Sequence, residues 1–268
     1  MLLGIEWIRR VTPFYVLKMY RAMRESIHRY RYYGDKYYCN ICDSHLKSWI
    51  YAGPVEHMNR ICPVCYSYGR QRFMALLLKI ELRVNCLTSR MNLLHFSPEL
   101  GLQRWIKNEL NFTAYLSADL CSREVDINLD LQRIDLPDNQ IDIIVLSHVL
   151  EHVENDALAI QEMYRVLAPE GKLFIQVPLS GDRVTQDECL AAPEARLARY
   201  GKTDHVRLYG DDILTRLSRG GFKVRRYQAA DEIFRPDIDY MALDIPSDST
   251  MLYVSESTIY VCQKVPGS

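Results

Sequence analysis

Two cysteine pairs, Cys39-x-x-Cys42 and Cys62-x-x-Cys65, stand nineteen residues apart in this chain. A C-x-x-C turn sets two thiolates on one knuckle, and two such knuckles close a tetrahedral four-sulfur site of the kind Zn2+ prefers. Because all four positions are cysteine, no coordination position is left open, and a structural rather than a catalytic zinc is expected. Metal binding contributes roughly 10–16 kcal/mol to folding pieces this small, more than so small an apolar core supplies. Four free core cysteines are the plainer reading, and two matched pairs argue against it.

Around the pairs, Tyr37-Tyr38 and Arg60-Ile61 read as short strands entering the knuckles, and Trp49, Ile50, Tyr51, Gly53 and Pro54 suit a small hairpin. The segment 37–70 resembles a rubredoxin-type zinc ribbon. His45 and His57 lie nearby, but four thiolates suffice without them. Arg70 and Arg72 open a connecting helix expected over 71–89; they contact an anionic ligand or lie on its solvated face.

The whole chain has 268 residues, 48% hydrophobic and 25% charged, room for one large domain and a small one. A formal net charge of −1 argues against a general nucleic-acid binder. The remaining cysteines, Cys86, Cys121, Cys189 and Cys262, are scattered, which fits a reducing, cytoplasmic setting. No run approaches the ~18 apolar residues of a membrane span, and no secretory signal is expected after Met1. In residues 1–36, eight Lys/Arg stand against three Asp/Glu, a net of +5, interleaved with apolar side chains such as Trp7, Ile8, Phe14 and Met19. Pro13 breaks or kinks this stretch. Either a basic amphipathic helix meets the inner face of an anionic membrane or a partner, or its apolar face packs on the protein body.

From Arg90 the pattern alternates. Strands are expected at 91–96, 113–119, 125–129, 141–146, 172–177, 222–227 and about 252–262, and helices at 98–110, 156–167 and 211–219. Asn155 or Asp156 caps the second of these helices, and Pro169-Glu170-Gly171 ends it. Such alternation implies a parallel, doubly wound sheet, with ligands at the carboxyl ends of the strands.

The stretch Leu136-Pro137-Asp138 through Ser147-His148-Val149-Leu150-Glu151-His152-Val153, followed by Tyr164-Arg165-Val166-Leu167-Ala168-Pro169-Glu170-Gly171-Lys172-Leu173, resembles class I S-adenosylmethionine (SAM)-dependent methyltransferases. The resemblance spans about residues 90–262. It implies an α/β fold with a Rossmann-like seven-stranded sheet, here preceded by an N-terminal helix and the four-cysteine zinc ribbon. The family's first loop is usually glycine-rich, whereas this one reads His95-Phe96-Ser97-Pro98-Glu99; a subgroup with a Phe-x-Pro-Glu loop exists. By position, the resemblance implies that Asp119, beside Leu120, accepts the two ribose hydroxyls. It also implies that Asp130, beside Leu131, meets the adenine amino group, and that Ser147 and His148 face the methionine end. The plainer readings are a helix cap for Asp119 and a solvated carboxylate for Asp130.

His148, Glu151 and His152 fall at i, i+3 and i+4, one face of a helical turn. With His205 they form a candidate second divalent-metal site. Alternatively His148 or His205 is a general base on an acceptor hydroxyl, or Glu151 and His152 only pin the loop. Residues 179–210 are long enough for a substrate lid, in which Arg183, Thr185, Arg196, Arg207 and Tyr209 are candidate acceptor contacts. The arginines there point to an anionic acceptor or to surface ion pairs.

The leading expectation is methyl transfer to an oxygen of a small molecule or glycan. A non-catalytic binding module and a nucleic-acid methyltransferase are the alternatives. The sequence leaves the oligomeric state open.

Overall fold

The computed structural model describes residues 14–52, 59–82, 90–187, 192–243 and 258–265. The expectations for Pro13, His57, Cys86 and Cys189 lie outside these residues.

Helix α1 (Phe14–Arg31) leads into two small antiparallel hairpins. The first pairs β1 (Tyr37–Cys39) with β2 (Ser44–Leu46), and the second pairs β3 (Ile50–Ala52) with β4 (Asn59–Ile61). Each hairpin delivers one cysteine pair, as the sequence implies. Helix α2 (Gly69–Leu82) follows, starting earlier than expected.

The rest is an α/β unit. Its elements in order are β5 (Asn92–Phe96), α3 (Leu100–Glu109), β6 (Ala114–Asp119), β7 (Ile127–Asn128), β8 (Ile141–Ser147), α4 (Asp156–Val166), β9 (Leu167–Gln176), α5 (Pro193–Tyr200), α6 (Ile213–Arg219), β10 (Phe222–Gln228), α7 (Ala229–Glu232), α8 (Arg235–Met241) and β11 (Thr258–Lys264). The seven strands line up as β10-β11-β9-β8-β5-β6-β7. Strands β5 to β9 pair in parallel, but β11 runs antiparallel to both neighbours. The parallel pairing expected from the alternation holds for β5 to β9; alternation of elements does not reveal a last strand inserted in reverse between two earlier ones.

Two boundaries also differ. Asn155 caps α4 by accepting from Leu158 N at 3.0 Å, but the helix stops at Val166. Ala168-Pro169-Glu170-Gly171 does not close it; these residues bulge out of β9, whose register jumps from Ile141–Leu167 to Ile143–Lys172. The third strand shrinks to two residues because Asp126 turns back to Ser117, accepting from its N and Oγ.

Period-two alternation sends Leu94 and Phe96 to the sheet face covered by Ile160, Met163, Ile213 and Leu217. Leu93 faces the other side, where Val145, Phe174 and Val261 meet α2, α3 and the cysteine module through Leu46, Trp49 and Val64. The module and the sheet thus share one apolar core. His95 also falls on this second face, fully buried and 2.8 Å from the Tyr115 hydroxyl. Burial, with help from the Lys107 charge, pushes its pKa down to about 3.

Arg72 binds the module to the far end of the chain. It has no exposed surface, which corrects the solvated-face expectation. Its guanidinium donates to Ser67 O and Arg60 O, and to Met241 O and Ala242 O, at 2.6–2.9 Å, while lying 4.3 Å over the Trp49 ring. Gly69 allows this approach, since a Cβ there would come 2.6 Å from Ala242 O. Arg70 is half-buried against Glu99 at 2.9 Å. Replacing Arg72 with Met removes the charge and takes one donor from each of four carbonyls, of which Ser67 O keeps Cys62 N at 3.0 Å. We expect Arg72→Met to lose about 3 kcal/mol or more of unfolding free energy, read by urea denaturation; a loss under about 1 kcal/mol contradicts the clamp.

Candidate functional site

The parallel half of the sheet reverses its winding between β5 and β8, and a cavity of about 470 Å³ opens at the carboxyl ends of β5, β6 and β8. This is the switch-point crevice where such sheets bind ligands. Phe96 and Ser97 form one wall, Asp119 and Leu120 the next, Leu129 to Gln132 a third, and His148, Val149 and His152 to Glu154 the fourth.

Ser97 does by strain what a glycine does freely. It sits at φ 44°, in the left-handed region, and its hydroxyl donates to Asp119 Oδ2 at 2.7 Å. Asp119 Oδ1 accepts the amides of Cys121 and Ser122 at 2.9 and 2.8 Å. Burial would raise the Asp119 pKa, but these three donors outweigh it and hold the carboxyl below its usual range. The result is a fixed anion with two oxygens at the tip of β6. Asp130 is held by an Asx turn, its Oδ1 accepting Gln132 N at 2.8 Å, with Leu129 and Leu131 buried on either side.

At the opposite wall His148 is also left-handed, at φ 53°. Its amide donates to Gln176 O at 2.9 Å. Its Nδ1 lies 3.3 Å from Glu151 Oε1, and its buried Nε2 has no partner among the described residues. Glu151 lies in the short 3-10 turn Leu150–His152 and is completely buried, with neither carboxylate oxygen in a well-aligned hydrogen bond. Burial pushes Glu151 up, but His148 and then His152 outweigh it and hold it low. His205 Nε2 stands 4.0 Å from Glu151 Oε1, and its ring meets His152 edge-on at 4.8 Å. Burial pushes the His205 pKa down to about 4, so its imidazole is neutral at pH 7. Glu151, His152 and His205 bring ligand atoms within 4.8 Å of one another.

The expected cofactor residues therefore divide. Phe96, Ser97, Asp119, Leu120, Asp130, Leu131 and His148 line the cavity. His95 does not, because strand parity turns it to the other sheet face. Pro98 and Glu99 are absent from the lining too, Glu99 being turned to Arg70, and Ser147 is tied to Gln176 Oε1 at 3.2 Å. The expected acceptor contacts mostly stand behind the site. Arg207 is buried and donates to the carbonyls of Leu150, Val153 and Glu154, gripping the turn that carries Glu151 and His152. Tyr209 donates to Asp156 Oδ2 at 3.0 Å, and Thr185 to Asp212 Oδ1 at 2.5 Å. Arg183 is exposed, and Arg196 lies on α5. Among the described residues no Lys or Arg lines the cavity, which carries Asp119, Asp130 and Glu154. Sequence reasoning missed Leu129, Gln132, Val149, Val153 and Glu154; they flank Asp130 and the histidine turn.

In the module, the Sγ atoms of Cys39 and Cys65, and of Cys42 and Cys62, lie 3.7 Å apart. Four sulfurs at the ~2.3 Å Zn–S distance sit about 3.8 Å from one another, so the spacing suits the ion and not a disulfide. Ser67 and Ser44 hydroxyls approach the sulfurs at 3.2–3.4 Å. The thiols of Cys39 and Cys42 push Cys62 and Cys65 well up, so four thiolates need a dication among them.

Residues 95–175, from the end of β5 through β9, match a family of methyltransferase domains. No curated protein matches the chain. Among solved structures, YcgJ of Bacillus subtilis is 13% identical, with 72% of this chain and 99% of that one covered at a TM-score of 0.47. A SAM-dependent methyltransferase of Mesorhizobium loti is 15% identical, covering 71% and 98% at 0.46. One from Archaeoglobus fulgidus is 13% identical, covering 72% and 94% at 0.47. The matched segment builds all four walls of the cavity and holds the parallel strands from the end of β5 through β9, so the similarity to methyltransferase domains falls on the part of the chain that forms the site.

Proposed function

We propose that this enzyme transfers a methyl group from SAM to an oxygen of a small neutral acceptor, a hydroxylated metabolite or glycan, with His148 removing the proton. One observation carries the reading: a fixed carboxylate, Asp119, and an oriented imidazole, His148, face the same cavity from opposite walls.

SAM, when bound, supplies a methyl group already activated on a sulfonium. The chain's residues do the rest. Asp119 offers two acceptor oxygens to a vicinal diol, and once a ligand hydroxyl arrives the Ser97 donor has only to rotate away. Asp130 and Leu131 offer a polar edge and an apolar face to a purine. The acidic lining suits a cationic donor. Glu151, 3.3 Å from His148 Nδ1, favours a proton on that nitrogen, which leaves Nε2 with its lone pair to accept one. Leu129, Val149 and Val153 keep water from the reacting line.

Asp119→Ala should weaken SAM binding about a hundredfold, two charge-assisted hydrogen bonds' worth, by titration calorimetry; unchanged affinity contradicts the assignment and favours a non-catalytic module. His148→Ala should leave SAM affinity within about threefold while methyl transfer falls at least ~100-fold. Methyl-labelled SAM and a panel of phenols, hydroxy acids and sugars provide the assay, and carbon NMR identifies the product. Label found on nitrogen, or an unaffected rate, overturns oxygen transfer by this base.

A second reading is favoured by the wholly buried Glu151 carboxylate: Glu151, His152 and His205 hold a divalent ion that orients the acceptor. Metal analysis separates the two. The base reading expects one zinc per chain, lost in Cys62→Ser and kept in Glu151→Gln; the metal reading expects a second ion that Glu151→Gln removes.

A further inference from the structure

Helix α1 is inside out. Val16, Met19, Tyr20, Met23, Ile27 and Tyr30 recur at helical spacing along one stripe, and all are exposed, from 40% for Val16 to 90% for Tyr30. The polar residues hold the helix to the module and to α3 instead. Arg24 stacks 4.2 Å over the Tyr66 ring, Glu25 takes a two-pronged pair from Arg104 at 2.7 and 3.1 Å, and the His28 ring meets Pro63 O at 2.7 Å. A helix of a protein that works only in water turns its apolar stripe to the core. The expectation that this face packs on the body is therefore corrected.

We infer that α1 lies flat on an anionic membrane surface, with this stripe sunk at the headgroup level. The charges favour lipid over a second copy of the chain. Helix α1 carries five Lys/Arg and one acid, and that acid, Glu25, is turned inward to Arg104. At the end of the stripe, Ser26, Arg29, Tyr30, Arg31, Tyr33 and Lys47 surround an open hollow of about 680 Å³. Arg29 is tied to the carbonyls of Asp43 and Cys42 at 3.1 and 3.0 Å, which leaves Arg31 and Lys47, with two tyrosines beside an apolar stripe, as the seat for a lipid phosphate. A two-fold contact between copies through the same stripe would set these cations against their own images. The residues before α1 continue the composition, with Leu2, Leu3, Ile5, Trp7 and Ile8 beside Arg9 and Arg10. Among the described residues no helix is long and apolar enough to cross a membrane, so the contact lies on the surface.

Flotation of the full chain with vesicles tests this. Binding is expected to phosphatidylcholine mixed with phosphatidylglycerol, and not to phosphatidylcholine alone, with release by salt. Arg31→Glu combined with Lys47→Glu should lower partitioning at least about thirtyfold, and Ile27→Glu should also abolish flotation. All three positions are exposed, so thermal melting should not change. Absence of flotation with wild-type protein, equal binding to neutral vesicles, or a soluble dimer that Ile27→Glu dissociates would each overturn the inference.

Discussion

Arg72 donates to carbonyls from two distant stretches of chain, Arg60 and Ser67 in the cysteine module and Met241 and Ala242 at the end of α8. A buried guanidinium with fewer partners would be a liability; this one has four acceptors, an indole face and neighbouring thiolates. Burial weakens its hold on the proton, while the charges of Cys39, Cys62 and Cys65 strengthen it. The cation and a dication among the four sulfurs would support each other, because four thiolates around one Zn2+ leave net negative charge beside the guanidinium. From that clamp the frame extends outward: α2 packs under the sheet, and β5 is set in the middle of it.

The cavity depends on that frame at second hand. Strand β5 ends at Phe96, the next residue must turn sharply, and Ser97 takes the left-handed conformation that lets its hydroxyl meet Asp119. On the other wall, His148 takes the same unusual conformation after β8. Its turn is gripped from behind by Arg207, and a further chain of contacts runs from Tyr209 through Asp156 to Arg216. Two strained residues at the ends of adjacent parallel strands, each braced by its own polar network, keep the two walls fixed before a ligand arrives.

Much of this was legible in the sequence, for definite reasons. Matched C-x-x-C spacing has one common chemical use, and strand-ending acids such as Asp119 and Asp130 lie at positions that the resemblance identifies. Pattern alone could not give the parity of His95, because a buried strand is apolar on both faces and offers no alternation to read. Nor could it separate a substrate arginine from a bracing one: Arg207 and Arg72 are charged residues whose partners are backbone carbonyls, which leave no trace in composition. The direction of α1 was open for a similar reason. Its stripe is amphipathic either way, and only the contacts of Arg24, Glu25 and His28 show which face meets the body.

The central claim is that the β5–β6–β8 crevice holds the methyl donor while the cysteine module holds only a structural ion. A crystal structure with S-adenosylhomocysteine, collected at and below the zinc absorption edge, tests both at once. Expected are ribose hydroxyls on Asp119, adenine between Asp130 and Leu131, the sulfur turned toward His148, and an anomalous peak among the four thiolates. Ligand density elsewhere, a ribose clear of Asp119, or thiols without a peak would contradict it.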